Sequence, residues 1–120
     1  MTLDFEGAML RLGNDFSLFE EFIGFYKEDC PRLLKALRDG VAERDAEVIH
    51  QSAHSLKGLV ASLGATDVAS SAAALERMGR ANDLSDVGEG LRNLEGDIAK
   101  FEAALENFQK SKKREGAGSK

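Results

Sequence analysis

The sequence predicts an all-α protein: an antiparallel four-helix bundle with an additional short N-terminal helix. Three observations lead there. Apolar residues recur at spacings of three and four along nearly the whole chain, and no stretch alternates at the period of a strand. Capping and terminating residues, among them Gly13, Asp45, Gly64 and Gly79, cut the chain into segments of helical length. With 120 residues and one proline, the chain suits a single domain with a modest core.

In chain order, the first helix spans Asp4 to Leu12 and stops at Gly13. Asn14 or Asp15 then caps a longer helix carrying Phe16, Phe19, Phe22, Ile23 and Tyr26. Pro31 either kinks that helix or opens a new one through Leu33, Leu34, Leu37 and Val41, because proline lacks the amide donor of a helix interior. Asp45 is the expected cap of the next helix, which runs to about Gly64. Thr66 or Asp67 caps an alanine-rich helix to about Gly79, where Ala69, Ala72 and Ala73 allow a neighbour to approach closely. In the last helix Val87, Leu91, Leu94, Ile98, Phe101, Leu105 and Phe108 alternate steps of four and three, a narrow seam for bundle packing.

Charge divides the chain in two. The last eleven residues carry five basic side chains and one acid, a net of +4, against −9 on residues 1 to 109. An acidic body does not suit binding to a phosphate backbone, which needs Lys and Arg. The expected division is therefore a bundle domain over 1–109 and a basic, solvated, flexible tail over 110–120. Cys30 is the only cysteine, so it can form no internal disulfide, and it reads as a small buried hydrophobe. The start, Met1-Thr2-Leu3-Asp4-Phe5-Glu6, lacks the basic and apolar regions of a signal peptide, and no run is long enough to span a bilayer. The expected setting is cytoplasmic, without membrane or nucleic-acid partners.

The chemistry concentrates in Ala53-His54-Ser55-Leu56-Lys57-Gly58-Leu59-Val60. At about 100° per residue, Ile49, Leu56, Leu59, Val60 and Leu63 gather on one side of this helix. His54 projects from nearly the opposite side, among His50, Gln51, Lys57, Gly58 and Ala61, which argues against a core histidine. Gly58 argues against an inert surface one: a mid-helix glycine costs about 1 kcal/mol relative to alanine, so something approaches closely there. The face offers a nucleophilic imidazole, a neighbouring cation and a gap.

This segment, followed by Ser62-Leu63-Gly64-Ala65, resembles the signature of histidine-containing phosphotransfer (HPt) domains of two-component phosphorelays. The resemblance covers roughly residues 4 to 108, with Phe16 to Val41 similar to the family's first long helices and Glu43-Arg44-Asp45 at the turn before the histidine helix. It implies that His54 accepts a phosphoryl group on Nε2 from a receiver-domain aspartate and passes it on. Leu75-Glu76 falls where the family commonly carries Gln or Glu facing the histidine, so Glu76 is expected to hold Nδ1 and orient the ring. Lys57 would offset the phosphoryl charge, Gly58 would admit the partner's loops, and Arg80 would add charge nearby. The implied partners are response-regulator receiver domains and a hybrid sensor histidine kinase, met by a monomer through an apolar patch to which Met9, Leu12 and Phe16 contribute. No cofactor is expected in this chain, the magnesium belonging to the receiver. The protein would be a carrier, not an enzyme, with no nucleotide loop among its scattered glycines.

Two alternatives compete. Glu47-Val48-Ile49-His50 is a Glu-x-x-His match, and Glu47, His50 and His54 share a face, which is the basis for a metal-binding bundle as an alternative. Carboxylate-bridged metal bundles, however, need two such motifs on different helices, and this chain has two histidines on one helix. A non-phosphorylated adaptor of the same fold is the other alternative, disfavoured by the intact His-x-x-Lys-Gly.

Overall fold

The structure, a computed structural model, describes residues 3–118, with side chains for residues 3–115. Among the described residues it is built of helices alone: α1 (Phe5–Arg11), α2 (Phe16–Glu43), α3 (Ala46–Ala61), α4 (Thr66–Arg80) and α5 (Val87–Gly118). Helices α2 to α5 close a ring in which each packs on the next and α5 returns to α2. This is the antiparallel four-helix bundle, with α1 as the extra helix.

Three aspartates start three helices. Asp4, Asp15 and Asp45 accept hydrogen bonds from the amides of Gly7, Leu18 and Val48, satisfying donors that the first helical turn leaves open. The expected cap of α4 differs. Thr66 is its first residue and Ala65 occupies the cap position without a side-chain bond. The α3–α4 turn is buried, with Leu63 and Ala65 inside the core, which leaves no wet position for a polar cap. Gly64 makes this turn in the left-handed region at φ +74°, and its carbonyl accepts the amide of Asp4. That bond, with Arg11 Nη2 3.5 Å from the Ala61 carbonyl, seats α1 over this end of the bundle.

Pro31 neither ends α2 nor starts a new helix; it lies inside one continuous helix of 28 residues with its ring exposed. The missing amide bond is offset by the face below it, where Cys30, Leu33 and Leu37 are buried. The α5 seam packs as its spacing predicts: Val87, Leu94, Ile98, Phe101 and Leu105 are buried, and Leu91 and Phe108 partly so. The segment expected as a flexible tail differs too, since α5 continues through Lys110 to Gly118. Ion pairs from Glu106 to Lys110 and from Glu115 to Lys112 support this stretch, and the Lys112 ammonium lies 5.6 Å from the Phe108 ring centroid. Residues 119 and 120 of that tail lie outside the described residues.

Polar ties join α5 to its neighbours. Tyr26 donates to Glu102 at 2.8 Å, Arg38 pairs with Glu95 at 2.6 Å, and Ser71 bonds Asp97. Burial drives the Tyr26 phenol and the Cys30 thiol upward, so both keep their protons. Cys30 is 3% exposed, the small buried hydrophobe its sequence setting suggests.

Candidate functional site: a surface histidine on a buried glutamate

His54 and Glu76 stand about three helical turns to either side of the α3–α4 turn. Two antiparallel helices joined by a tight turn place such positions opposite one another. Their approach is close because Gly79 has no side chain. A Cβ there would come within 2.7 Å of the Ala46 carbonyl oxygen and the His50 nitrogen. Gly79 was read from sequence only as the end of α4; it sets the distance between the two helices at the site.

Glu76 is not the exposed helical glutamate its composition would suggest. Its side chain is 4% exposed, and its two oxygens gather Lys57, His54 and Arg80. Oε1 accepts from Lys57 Nζ at 2.6 Å. Oε2 lies 2.8 Å from His54 Nδ1 and accepts from Arg80 Nη2 at 3.0 Å, with His50 Nε2 at 3.9 Å. The hydrogen bonds from Lys57 and then His54 hold the carboxyl at about 2, well below its ordinary 4.5, although burial opposes them. Glu76 is therefore ionised near neutral pH.

An ionised carboxylate can only accept, so the proton between it and His54 sits on Nδ1. In the neutral ring, Nε2 is then the nitrogen with a free lone pair. The imidazole is anchored at one nitrogen while its side chain remains 65% exposed. Gly58 is exposed, with nothing within 4 Å of a Cβ built on it, so the surface beside His54 is open.

The structure thus brings His54, Lys57, Glu76 and Arg80 together and leaves Gly58 as a gap next to them. Lys57 and Arg80 bond the glutamate itself. His50 joins the cluster's edge, which the sequence reading considered only for metal. Arg80 was expected to add charge nearby; His50 was findable too, lying four residues from His54 on the same face. The metal alternative loses its geometry: the Glu47 carboxylate takes Gln51 at 2.6 Å and His50 faces Arg80. Among the described residues no three His, Cys, Asp or Glu side chains gather at metal-binding spacing.

The expected docking patch also changes. Met9 is 6% exposed and belongs to the core, while Leu12 and Phe16 are partly buried. Phe16 stacks on Phe19 at 6.2 Å, inside an aromatic cluster with Phe5 and Phe108. The turn of α1 that points Met9 inward points Leu10 outward at 68% exposure, and Phe25 on α2 is also exposed.

Clefts of about 690 Å³ between α2 and α5 and about 400 Å³ between α4 and α5 are lined by other residues than His54. The Hpt domain family model matches residues 21–111, and the chain belongs to that family. Its members are phosphocarrier modules of two-component signalling, not enzymes. Among solved structures, the chain is similar to histidine-containing phosphotransfer protein B (HptB) from Pseudomonas aeruginosa PAO1. That similarity has a TM-score of 0.81 and 19% identity, over 91% of this chain and 95% of the other. No curated protein matches the sequence. Among the described residues, no helix is long and apolar enough to cross a membrane.

Proposed function

We propose that His54 is the phosphoacceptor of a phosphorelay, taking a phosphoryl group from a receiver-domain aspartate and delivering it to a second receiver. The observation that carries this reading is the 2.8 Å contact between His54 Nδ1 and the buried, ionised Glu76. It fixes the tautomer that leaves Nε2 nucleophilic. The Nε2 lone pair attacks phosphorus, the P–O bond to the receiver aspartate breaks, and the aspartate leaves as a carboxylate. The imidazolium formed keeps its proton on Nδ1 and donates it to the Glu76 carboxylate, which stabilises the new charge. Delivery reverses the same steps.

Lys57 and Arg80 have work on both sides of the transfer. They neutralise Glu76 in the resting protein, and each keeps further N–H donors that can meet the phosphoryl oxygens. Transfer of this kind depends chiefly on positioning and charge stabilisation. The receiver supplies the acidic pocket and its magnesium; this chain supplies the nucleophile and its surroundings. Gly58 admits the receiver's loops. Leu10 gives apolar contact on α1, which is seated on α3 about 10 Å beyond His54, at Ala61.

The test is labelling by a phosphorylated receiver. The wild-type chain should acquire an acid-labile, base-stable phosphate. His54→Gln should lose it while keeping its helical circular dichroism, and His50→Gln should retain it. Wild-type labelling of the His54 variant would overturn the assignment.

A further inference from the structure

We propose that His50 is a positioning residue that makes the orientation of His54 sensitive to protons, by competing for the same oxygen of Glu76. The inference rests on His54 being the phosphoacceptor, and extends that reading to its control. The Oε2 atom of Glu76 already serves His54 at 2.8 Å and Arg80 at 3.0 Å, and His50 Nε2 stands 3.9 Å away. On its other side, His50 Nε2 is 3.5 Å from Arg80 Nη2. Guanidinium can only donate, so the nitrogen facing it is the unprotonated one of a neutral His50.

Protonation reverses both relations. Nε2 then carries a hydrogen and a share of positive charge, which the Arg80 cation repels and the Glu76 carboxylate attracts. A closure of about 1 Å brings His50 within hydrogen-bond distance of Oε2. A charged donor binds a carboxylate more strongly than the neutral Nδ1–H of His54 does, so His54 loses its share of the oxygen and with it the lock on its tautomer.

The other groups around His50 do not replace this competition. On α3, Glu47 is engaged by Gln51 at 2.6 Å, and the His54 ring centroid is 6.4 Å away. On α4, Glu76 and Arg80 are the charged groups that reach it, and Gly79 closes against its backbone. Among the described residues, no hydrogen bond or ion pair reaches His50 from α2 or α5. The side chain is 28% exposed, so protons reach it from solvent.

The test compares the full chain with His50→Gln, in which an amide oxygen still accepts from Arg80 but cannot titrate. Nitrogen-resolved NMR of the unphosphorylated protein follows the His54 tautomer from about pH 8 to about pH 5. Transfer from a phosphorylated receiver is measured over the same range. In the wild type the Nδ1–H form of His54 should decline with an inflection at the titration of His50. The transfer rate should fall several-fold relative to the variant over that inflection. In His50→Gln the part of the decline that follows His50 should vanish, leaving only what protonation of His54 itself contributes, and His50→Asn, checked by thermal melting, should behave alike. Identical tautomer and rate profiles in wild type and both variants would overturn the proposal. The NMR arm uses no phosphoryl group, so its outcome is separate from that of the labelling test on His54.

Discussion

At the scale of single residues, Glu76 and Gly58 do opposite things for His54: one holds the ring, the other keeps its surroundings empty. Glu76 has its carboxyl lowered to about 2 in the fold, below the ordinary 4.5. A depressed carboxyl stabilises the fold fully above its unfolded value and loses that contribution as pH falls toward the folded one. Denaturant melts should therefore show a wild-type advantage over Glu76→Gln that is fully present above about pH 4.5 and shrinks toward pH 2. At neutral pH Glu76→Ala should slow phosphotransfer without abolishing it, since Nε2 remains but its tautomer is no longer fixed. Gly58 separates docking from folding. A methyl group there meets nothing within 4 Å, so Gly58→Ala should be neutral or stabilise by up to about 1 kcal/mol. Gly58→Gln should fold equally well yet transfer more slowly, measured as melting temperature and transfer rate on the same preparation. Full-speed transfer by the glutamine variant would show that no close approach occurs there.

At the scale of elements, the site is a property of the α3–α4 pair. Asp45 starts α3, Gly64 turns the chain, and Gly79 lets the two helices close. Gly79→Ala pushes a methyl group to 2.7 Å from the backbone of α3 at Ala46 and His50, and backbone cannot step aside as a flexible side chain does. The expected cost is about 1–3 kcal/mol, the range for overpacking. It should be accompanied by slower transfer, because separation of the helices also lengthens the bridge from Glu76 to His54. Chemical denaturation and transfer kinetics measure the two effects; a variant unchanged in both would remove Gly79 from the site's construction. Arg80, one residue on, shows the same dependence on pairing. As an isolated exposed arginine it says little, and its function appears only when Glu76 and His50 stand beside it.

At the scale of the whole molecule, α2 and α5, about 42 and 48 Å long, form the scaffold on which the α3–α4 pair rests. The molecule is correspondingly elongated, 55 by 20 by 20 Å. Phe101 lies at its centre, fully buried, edge-on to Tyr26 at 5.3 Å and 6.1 Å from Phe5, so it binds α5 to α2 and to the accessory helix. Phe101→Ala should cost about 3–5 kcal/mol and lower the melting temperature substantially. Because it lies away from His54, labelling of the fraction that remains folded should persist. A loss of labelling without loss of fold would indicate that α5 contributes to the site directly.

The fold class, the seam of α5 and the cap Asp45 were legible in the sequence, which also offered Asp15 as one of two caps for α2 and, through the family resemblance, Glu76 as the partner of His54. Each rests on local rules: periodicity, capping chemistry and motif spacing act within a few turns of one helix, or carry a family's registered positions. What the sequence left undecided depended on contacts between distant segments. Pro31 stays within α2 because the core face beneath it is buried, and Ala65 takes the cap position of α4 because α1 covers that turn. Met9 goes inward and Leu10 outward by the seating of α1 on the end of α3. Burial of Glu76, and with it the depressed carboxyl, the tautomer of His54 and the gathering of Lys57, Arg80 and His50, arises only when α4 closes on α3. Local sequence specifies which residues can form the site; desolvation and shared hydrogen bonds, which exist only between packed helices, decide what those residues do.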